Sequence, residues 1–113
     1  MKPDPHRGEV WYVNLNPVQG HEQGGERPAL VLSVDQFNHG PADLVVILPI
    51  TSRYKGIRSH VAIGTGGGMK QDSFVICEQP RTISKNRLRR FAGTLDSRAM
   101  LDIEYAVRVI LGL

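Results

Sequence analysis

The sequence predicts a mainly β domain of the α+β kind: a small SH3-like barrel of antiparallel strands with a C-terminal helix packed on it. Three observations predict it. Short apolar segments of strand length recur along the chain, and polar, Gly-rich connections separate them. In the last segment the apolar period then lengthens from that of a strand to that of a helix. Many short strands followed by one helix indicate a compact antiparallel barrel with the helix laid against it.

The elements are taken in chain order. Residues 9–13, Glu-Val-Trp-Tyr-Val, alternate and carry aromatics, which suits a half-buried first strand. Residues 29–34 are almost continuously apolar and suit a strand covered on both faces. Residues 44–50 read the same way, with Pro49 ending that strand or placing it near an edge. Further strands are expected at 60–63, 73–79 and 90–95. The connection 20–25 is polar, Gly-rich and expected to be mobile, and 64–68 reads as another flexible loop. A short helical turn is expected over 84–88 with Ser84 as its cap. Asp96-Ser97 can cap a helix whose apolar positions Met100, Ile103, Val107 and Ile110 are spaced three, four and three apart. Leu101, Tyr105 and Val109 are read as widening that face, so that one side packs on the sheet.

With 113 residues the chain has the size of a single domain, 1–113, able to bury roughly 60–70% of its unfolded surface. Its 41% hydrophobic and 22% charged residues are ordinary for a soluble globular protein. A single cysteine excludes an intrachain disulfide and a zinc site built on thiolates. Cys77 lies in the apolar run Ser73-Phe74-Val75-Ile76-Cys77 and reads as a buried small hydrophobe rather than a nucleophile. The first eight residues hold two prolines and charges where a secretory signal needs an apolar stretch, and the longest apolar run, 44–50, is far too short for a membrane span. A cytoplasmic protein with no membrane partner is expected. Net charge is +3 and the sequence pI about 9.4, a mild bias toward polyanions. Lys85, Arg87, Arg89 and Arg90 cluster, with Arg81 just before them; the cluster is either a solvated face or a phosphate-tracking surface. The four histidines lack tight ligand spacing, so neither a metal nor a cofactor is expected.

Three stretches then resemble a known family. Arg7-Gly8-Glu9-Val10-Trp11, Asn16-Pro17 and Gly20-His21-Glu22-Gln23-Gly24-Gly25-Glu26-Arg27-Pro28-Ala29-Leu30-Val31-Leu32 resemble the opening of MazF/PemK toxins. Leu48-Pro49-Ile50-Thr51-Ser52 is similar to the family's Pro-Ile-Thr strand end. Asp72-Ser73, Glu78-Gln79-Pro80-Arg81-Thr82-Ile83 and then Lys85–Leu88 are similar to its later strand and turn. The resemblance runs from Arg7 to the C-terminal helix. It implies the toxin half of a type II toxin–antitoxin pair: an SH3-like homodimer and endoribonuclease that cuts single-stranded RNA, including mRNA, at short sequences and so stops translation and growth. It also implies a cognate antitoxin whose acidic C-terminal segment fills the RNA groove and which carries the complex onto operator DNA.

The chemistry such an enzyme needs is modest. RNA supplies its own nucleophile, the 2′-hydroxyl beside each phosphate. The protein must take that proton, stabilise charge on the phosphorane and protonate the leaving 5′-oxygen, giving a 2′,3′-cyclic phosphate and a 5′-hydroxyl. Arg27 suits the charge-stabilising role, because a guanidinium is a planar fork that matches two phosphate oxygens. It ends a Gly-rich loop and begins a strand stiffened by Pro28; the alternative is a surface ion pair with Glu22 or Glu26. Thr51 matches the family's strand-end threonine and can donate to a phosphate oxygen, with Ser52 beside it. Alternatively its hydroxyl satisfies a neighbouring backbone group. Glu22 matches an acidic residue implicated as base or positioning carboxylate in some members; otherwise it is an exposed loop carboxylate. His60, Gln79 and Arg81 are candidate RNA contacts by the same resemblance, Gln79 and Arg81 equally candidate antitoxin contacts. His21 stands where the family often has Ser and inherits no role, and His6 and His39 read as surface residues. Trp11 could stack on a base, but in a first strand it reads as core or dimer interface. Cleavage specificity is assigned chiefly to the loops 53–60 and 64–68. Two rival classes remain: a gyrase-poisoning toxin of the CcdB type on the same barrel, with its determinants on the C-terminal helix, and a non-catalytic SH3-like module. The latter needs clustered exposed aromatics, and the one Trp, three Tyr and three Phe are scattered.

Overall fold

Apolar runs at the centre of the chain form strands that feed two separate cores. The computed structural model describes residues 3–16, 20 and 25–113. Among these residues the chain runs β1 (Glu9–Asn14), β2 (Glu26–Val31), α1 (Asp35–Asn38), β3 (Leu44–Thr51), β4 (His60–Gly64), β5 (Ser73–Ile76), β6 (Arg81–Ser84), β7 (Leu88–Thr94) and α2 (Ser97–Leu111). The strands pair antiparallel in the order β4-β5-β3-β2-β1-β7, and β6 pairs with β3. This is the antiparallel β architecture with a C-terminal helix that the sequence predicts.

β2 and β3 are covered on both faces, as their unbroken apolar runs imply. Leu30, Leu48 and Ile50 join Val10, Val75, Cys77, Ile103 and Val107 in one buried cluster. Ala29, Val31, Val45 and Ile47 join Val13, Leu15, Ile83 and Leu88 in the other. Each fully buried aliphatic side chain contributes about 1.5–3 kcal/mol by leaving water. β1 serves both clusters because side chains alternate along a strand: Val10 and Tyr12 face one core, Trp11 and Val13 the other. Cys77 is 1% exposed, and burial pushes its thiol up to about 12, consistent with a small hydrophobe.

Several elements depart from the sequence reading. β2 starts earlier, at Glu26, and ends at Val31, so residues 32–34 leave the sheet for the short helix α1. The buried Asn38 closes that corner through bonds to the Ser33 hydroxyl and carbonyl, and the Ser33 hydroxyl accepts the Val46 amide. Pro49 neither ends β3 nor lies at an edge. It falls between the part of β3 paired with β6, ending at Ile47, and the part paired with β5, starting at Ile50. The residue without an N–H thus sits where the strand changes neighbour. The expected strand 73–79 stops at Ile76, and β6 is additional; it is short and polar, with Ile83 its only fully inward residue.

The expected turn after β6 is a 3₁₀ turn over Lys85–Arg87, with the Ser84 hydroxyl accepting the Asn86 amide. Residues 64–68 are not a free loop: Gly66–Gly68 form a 3₁₀ turn seated on β7, and Gly67 is buried. α2 is capped by Asp96, whose carboxylate accepts the Ala99 amide, and it ends at Gly112 with φ +72°. Ile103 and Val107 are buried, whereas Leu101, Tyr105 and Val109 are exposed and do not widen the packed face. No helix among the described residues is long and apolar enough to cross a membrane.

Candidate active site

The site arises where β2 and β3 part. β3 pairs with β2 only from Ala29 onward, while Arg27 and Pro28 remain paired with Val13 and Tyr12 of β1. Pro28 has no N–H to offer a further strand. The end of β3, Ile50–Thr51, turns to β5 instead. Between the diverging ends lies a pocket of about 210 Å³ lined by Tyr12, Arg27, Pro28, Ile50, Thr51 and Ser52. Met69, Lys70, Gln71 and Ser73, from the segment after the glycine turn, close its other side.

Two cations, Arg27 and Lys70, line this pocket, and no carboxylate does among the described residues. Arg90 lies nearby, its guanidinium carbon 3.8 Å from the centre of the Tyr12 ring. Thr51 is 6% exposed, and its hydroxyl oxygen accepts the Arg53 amide at 3.1 Å. The strand-end role therefore exists. It also leaves the hydroxyl hydrogen as the group available to donate. The arrangement is an anion-accepting pocket: a guanidinium fork, an ammonium and a fixed hydroxyl at a rigid strand junction.

The structure thus brings together Arg27, Thr51 and Ser52. Glu22 and His21 lie outside the described residues. His60, Gln79 and Arg81 do not line the pocket. The Arg81 guanidinium donates to the Leu15 carbonyl at 2.5 Å and ties β6 to the end of β1. Gln79 is half-buried in the turn after β5, its amide donating to the Ile76 carbonyl. The basic run divides by role: Lys85 is buried and donates to the Asn38 carbonyl, and Arg87 donates to the carbonyls of Asn14 and Asn16. Arg89 and Arg90 are exposed. Trp11 flanks the second core, its ring edge-on to Phe91 and its indole N–H donating to Glu9. Lys70, Gln71 and Tyr12 are the residues that sequence reasoning missed. Only the fold of the preceding glycine turn delivers Lys70 and Gln71 to the pocket.

His60 has a different task. Its side chain is 6% exposed, with Nε2 2.9 Å from a Glu78 oxygen and Nδ1 buried without a hydrogen-bond partner among the described residues. The other Glu78 oxygen accepts the Ser59 hydroxyl at 2.6 Å. These bonds fasten the base of the exposed loop that carries Arg53, Tyr54, Lys55 and Arg58. Burial would raise the Glu78 pKa, but the bonds from Ser59 and His60 outweigh it and hold the carboxyl below its ordinary 4.5. A lowered carboxyl pKa stabilises the fold above the ordinary value and loses that contribution as pH falls through the lowered one. Glu78→Gln is therefore expected to melt below wild type at pH 7, with the gap closing as pH falls under about 4.5. Melting curves at stepped pH check this; a gap that does not change with pH contradicts it.

Comparison with known proteins shows the family and the fold. A family model described as PemK-like, MazF-like toxin of type II toxin–antitoxin systems matches residues 6–111. The endoribonuclease MazF of Staphylococcus saprophyticus is 37% identical over 111 residues, covering 95% of this chain and 91% of that protein. The crystal structure of MazF from Deinococcus radiodurans superposes with a TM-score of 0.86 at 28% identity, covering 98% of this chain and 99% of the other. A MazE–MazF crystal structure from the same organism aligns with a TM-score of 0.80 at 29% identity, covering 98% of both chains. The chain belongs to the PemK-like, MazF-like toxins of type II toxin–antitoxin systems.

Proposed function

We propose that the chain is an endoribonuclease that cleaves single-stranded RNA in the Arg27–Thr51 pocket without a metal ion. One observation carries the reading: Arg27, Thr51 and Ser52 meet beside Lys70 in a pocket lined by no carboxylate among the described residues. Such a lining receives a phosphodiester, and its described residues include no Asp, Glu, His or Cys to hold a catalytic cation. Relatives that share a third or more of the sequence are named endoribonucleases.

In this mechanism the scissile phosphate lies between Arg27 and Thr51. Arg27 forks onto two non-bridging oxygens and, with Lys70, stabilises the charge that grows on the phosphorane. Thr51 donates its hydroxyl hydrogen to the same group, and Ser52 contacts the neighbouring backbone. Glu22 is the proposed base for the 2′-hydroxyl or the carboxylate that positions it. His60 and Glu78 set the loop that RNA crosses, and Gln79 and Arg81 are proposed contacts of RNA or antitoxin outside the pocket. The products are a 2′,3′-cyclic phosphate and a 5′-hydroxyl.

The same cationic lining suits an acidic peptide, so the cognate antitoxin is proposed to block the pocket with its acidic C-terminal segment and to carry the complex to operator DNA. MazF occurs with MazE in a structure similar to this one. A cytoplasmic homodimer is the proposed working form.

The 2′-hydroxyl requirement is tested with an RNA oligonucleotide carrying one 2′-deoxynucleotide on the 5′ side of a mapped cleavage site. Cleavage at that site is expected to vanish while other sites are cut. Undiminished cleavage there would overturn the mechanism.

A further inference from the structure

We propose that Asp4, His6 and His39 form a binding site for a divalent transition-metal ion of the zinc, nickel or copper class, separate from the RNA pocket. Each residue offers one ligand atom, and the three atoms lie within 4.8 Å of one another. Bonds of about 2.0–2.1 Å place neighbouring ligands of a tetrahedral ion about 3.3 Å apart. Rotation of exposed side chains closes that difference. Two imidazoles and one carboxylate are a mixed nitrogen–oxygen set, which favours zinc, nickel or copper over magnesium or calcium. Water completes the coordination.

The scaffold is stiff where these ligands stand. Asp4 lies between Pro3 and Pro5, whose rings fix φ, and Pro5 is buried. Asp4 and His6 are two apart in a segment with no helical turn, so they can reach toward the same side. A turn follows at once, in which the His6 amide donates to Glu9 and the Glu9 amide to the His6 carbonyl. Arg7 anchors the segment from the other side: its amide donates to Asp35 of α1 at 2.6 Å, and its guanidinium turns to the Leu32 carbonyl and Glu104. The cation nearest in sequence is thus directed elsewhere.

His39 terminates α1 and reaches back over this segment. Its Nε2 lies 2.8 Å from the Pro5 carbonyl and 3.0 Å from Asp4 Oδ1. An imidazole proton here occupies the place between oxygen acceptors that a metal would take. The His6 and His39 rings meet edge to face with centroids 4.8 Å apart. Glu9 Oε2 stands 3.7 Å from His6 Nδ1, close enough to favour positive charge at this ring. None of these residues lines the RNA pocket. Bound metal would clamp the N-terminal segment onto α1, and its binding is independent of the proposed cleavage.

The test is calorimetric titration of untagged, EDTA-treated and dialysed full-length protein with zinc chloride, and in parallel with nickel chloride, at pH 7.5. One ion per chain is expected, with a rise in melting temperature and weaker binding in acid as protons compete for the imidazoles. His39→Ala, and separately the highly exposed Asp4→Asn, which preserves the fold, are each expected to weaken binding at least tenfold. Absence of binding at 100 µM metal overturns the proposal. So does binding that Asp4→Asn, His6→Ala and His39→Ala all leave unchanged, because the ion then lies elsewhere.

Discussion

Replacing Arg27 by Ala is expected to lower the rate of RNA cleavage by about 10²–10³-fold, the usual cost of removing one group that stabilises a developing oxyanion. Arg27 lines the pocket from a position where β2 has only β1 as neighbour, and Pro28 stiffens the backbone behind it. Lys70 remains in the variant, so some electrostatic stabilisation survives. The ammonium is a point charge without the planar fork, so Arg27→Lys is expected to recover only part of the loss. The effect should fall on kcat more than on KM, since the phosphorane carries more charge than the ground-state phosphate. Arg27 is exposed, so the melting temperature should barely change. Single-turnover kinetics on a short RNA check this; a loss under threefold in a folded variant contradicts the assignment.

Gly68→Ala is expected to destabilise the fold by about 2–5 kcal/mol, combining backbone strain with overpacking. A methyl group on Gly68 would stand 2.1 Å from the Ala92 carbonyl oxygen and 2.7 Å from its carbonyl carbon, and φ is +81°. Both contacts are backbone, so no flexible side chain can move aside. The reverse approach is equally close: a methyl on Gly93 would meet Gly67 at 2.6 Å. Two main chains pack directly here, and the Met69–Gln71 stretch that closes the Arg27–Thr51 pocket follows this contact directly. Cleavage should therefore fall together with stability. Gly64→Ala is the comparator: φ is +57°, but nothing lies within 4 Å, so it should cost only about 1 kcal/mol of strain. Urea unfolding of both variants decides the point, and equal costs would contradict the packing argument.

The glycine turn also shows what a single sequence conceals. Five residues with four glycines look like a flexible connection, because composition records freedom in φ and not the contact that requires it. The signature of a close main-chain approach is another glycine opposite, and Gly93 is too distant in the chain to be recognised. Pro49 was misjudged for a related reason: its effect depends on which neighbours flank it, and β3 changes neighbour at that residue. The outer positions of α2 follow helical spacing, yet only Ile103 and Val107 are buried and Ile110 is exposed with Leu101, Tyr105 and Val109, since spacing fixes a face but not how much of it is covered. By contrast β2 and β3 were legible, since unbroken apolar runs require cover on both faces and two cores supply it. In the candidate site, Arg27, Thr51 and Ser52 stood out through local motifs. Lys70 did not, because only the fold carries it there. His60 could be recognised but not placed: whether a histidine faces solvent or a carboxylate is decided by Glu78 in the turn after β5.

The most direct test of the central claim, that this pocket cleaves RNA without metal, is incubation of a long single-stranded RNA with purified, antitoxin-free protein in EDTA, followed by mapping of the new ends. Wild type is expected to give discrete fragments bearing 5′-hydroxyls and 2′,3′-cyclic phosphates, and Arg27→Ala about 10²–10³-fold less of them in the same time. Intact RNA from a folded wild-type sample, or cleavage that appears only when a divalent ion is restored, would contradict it.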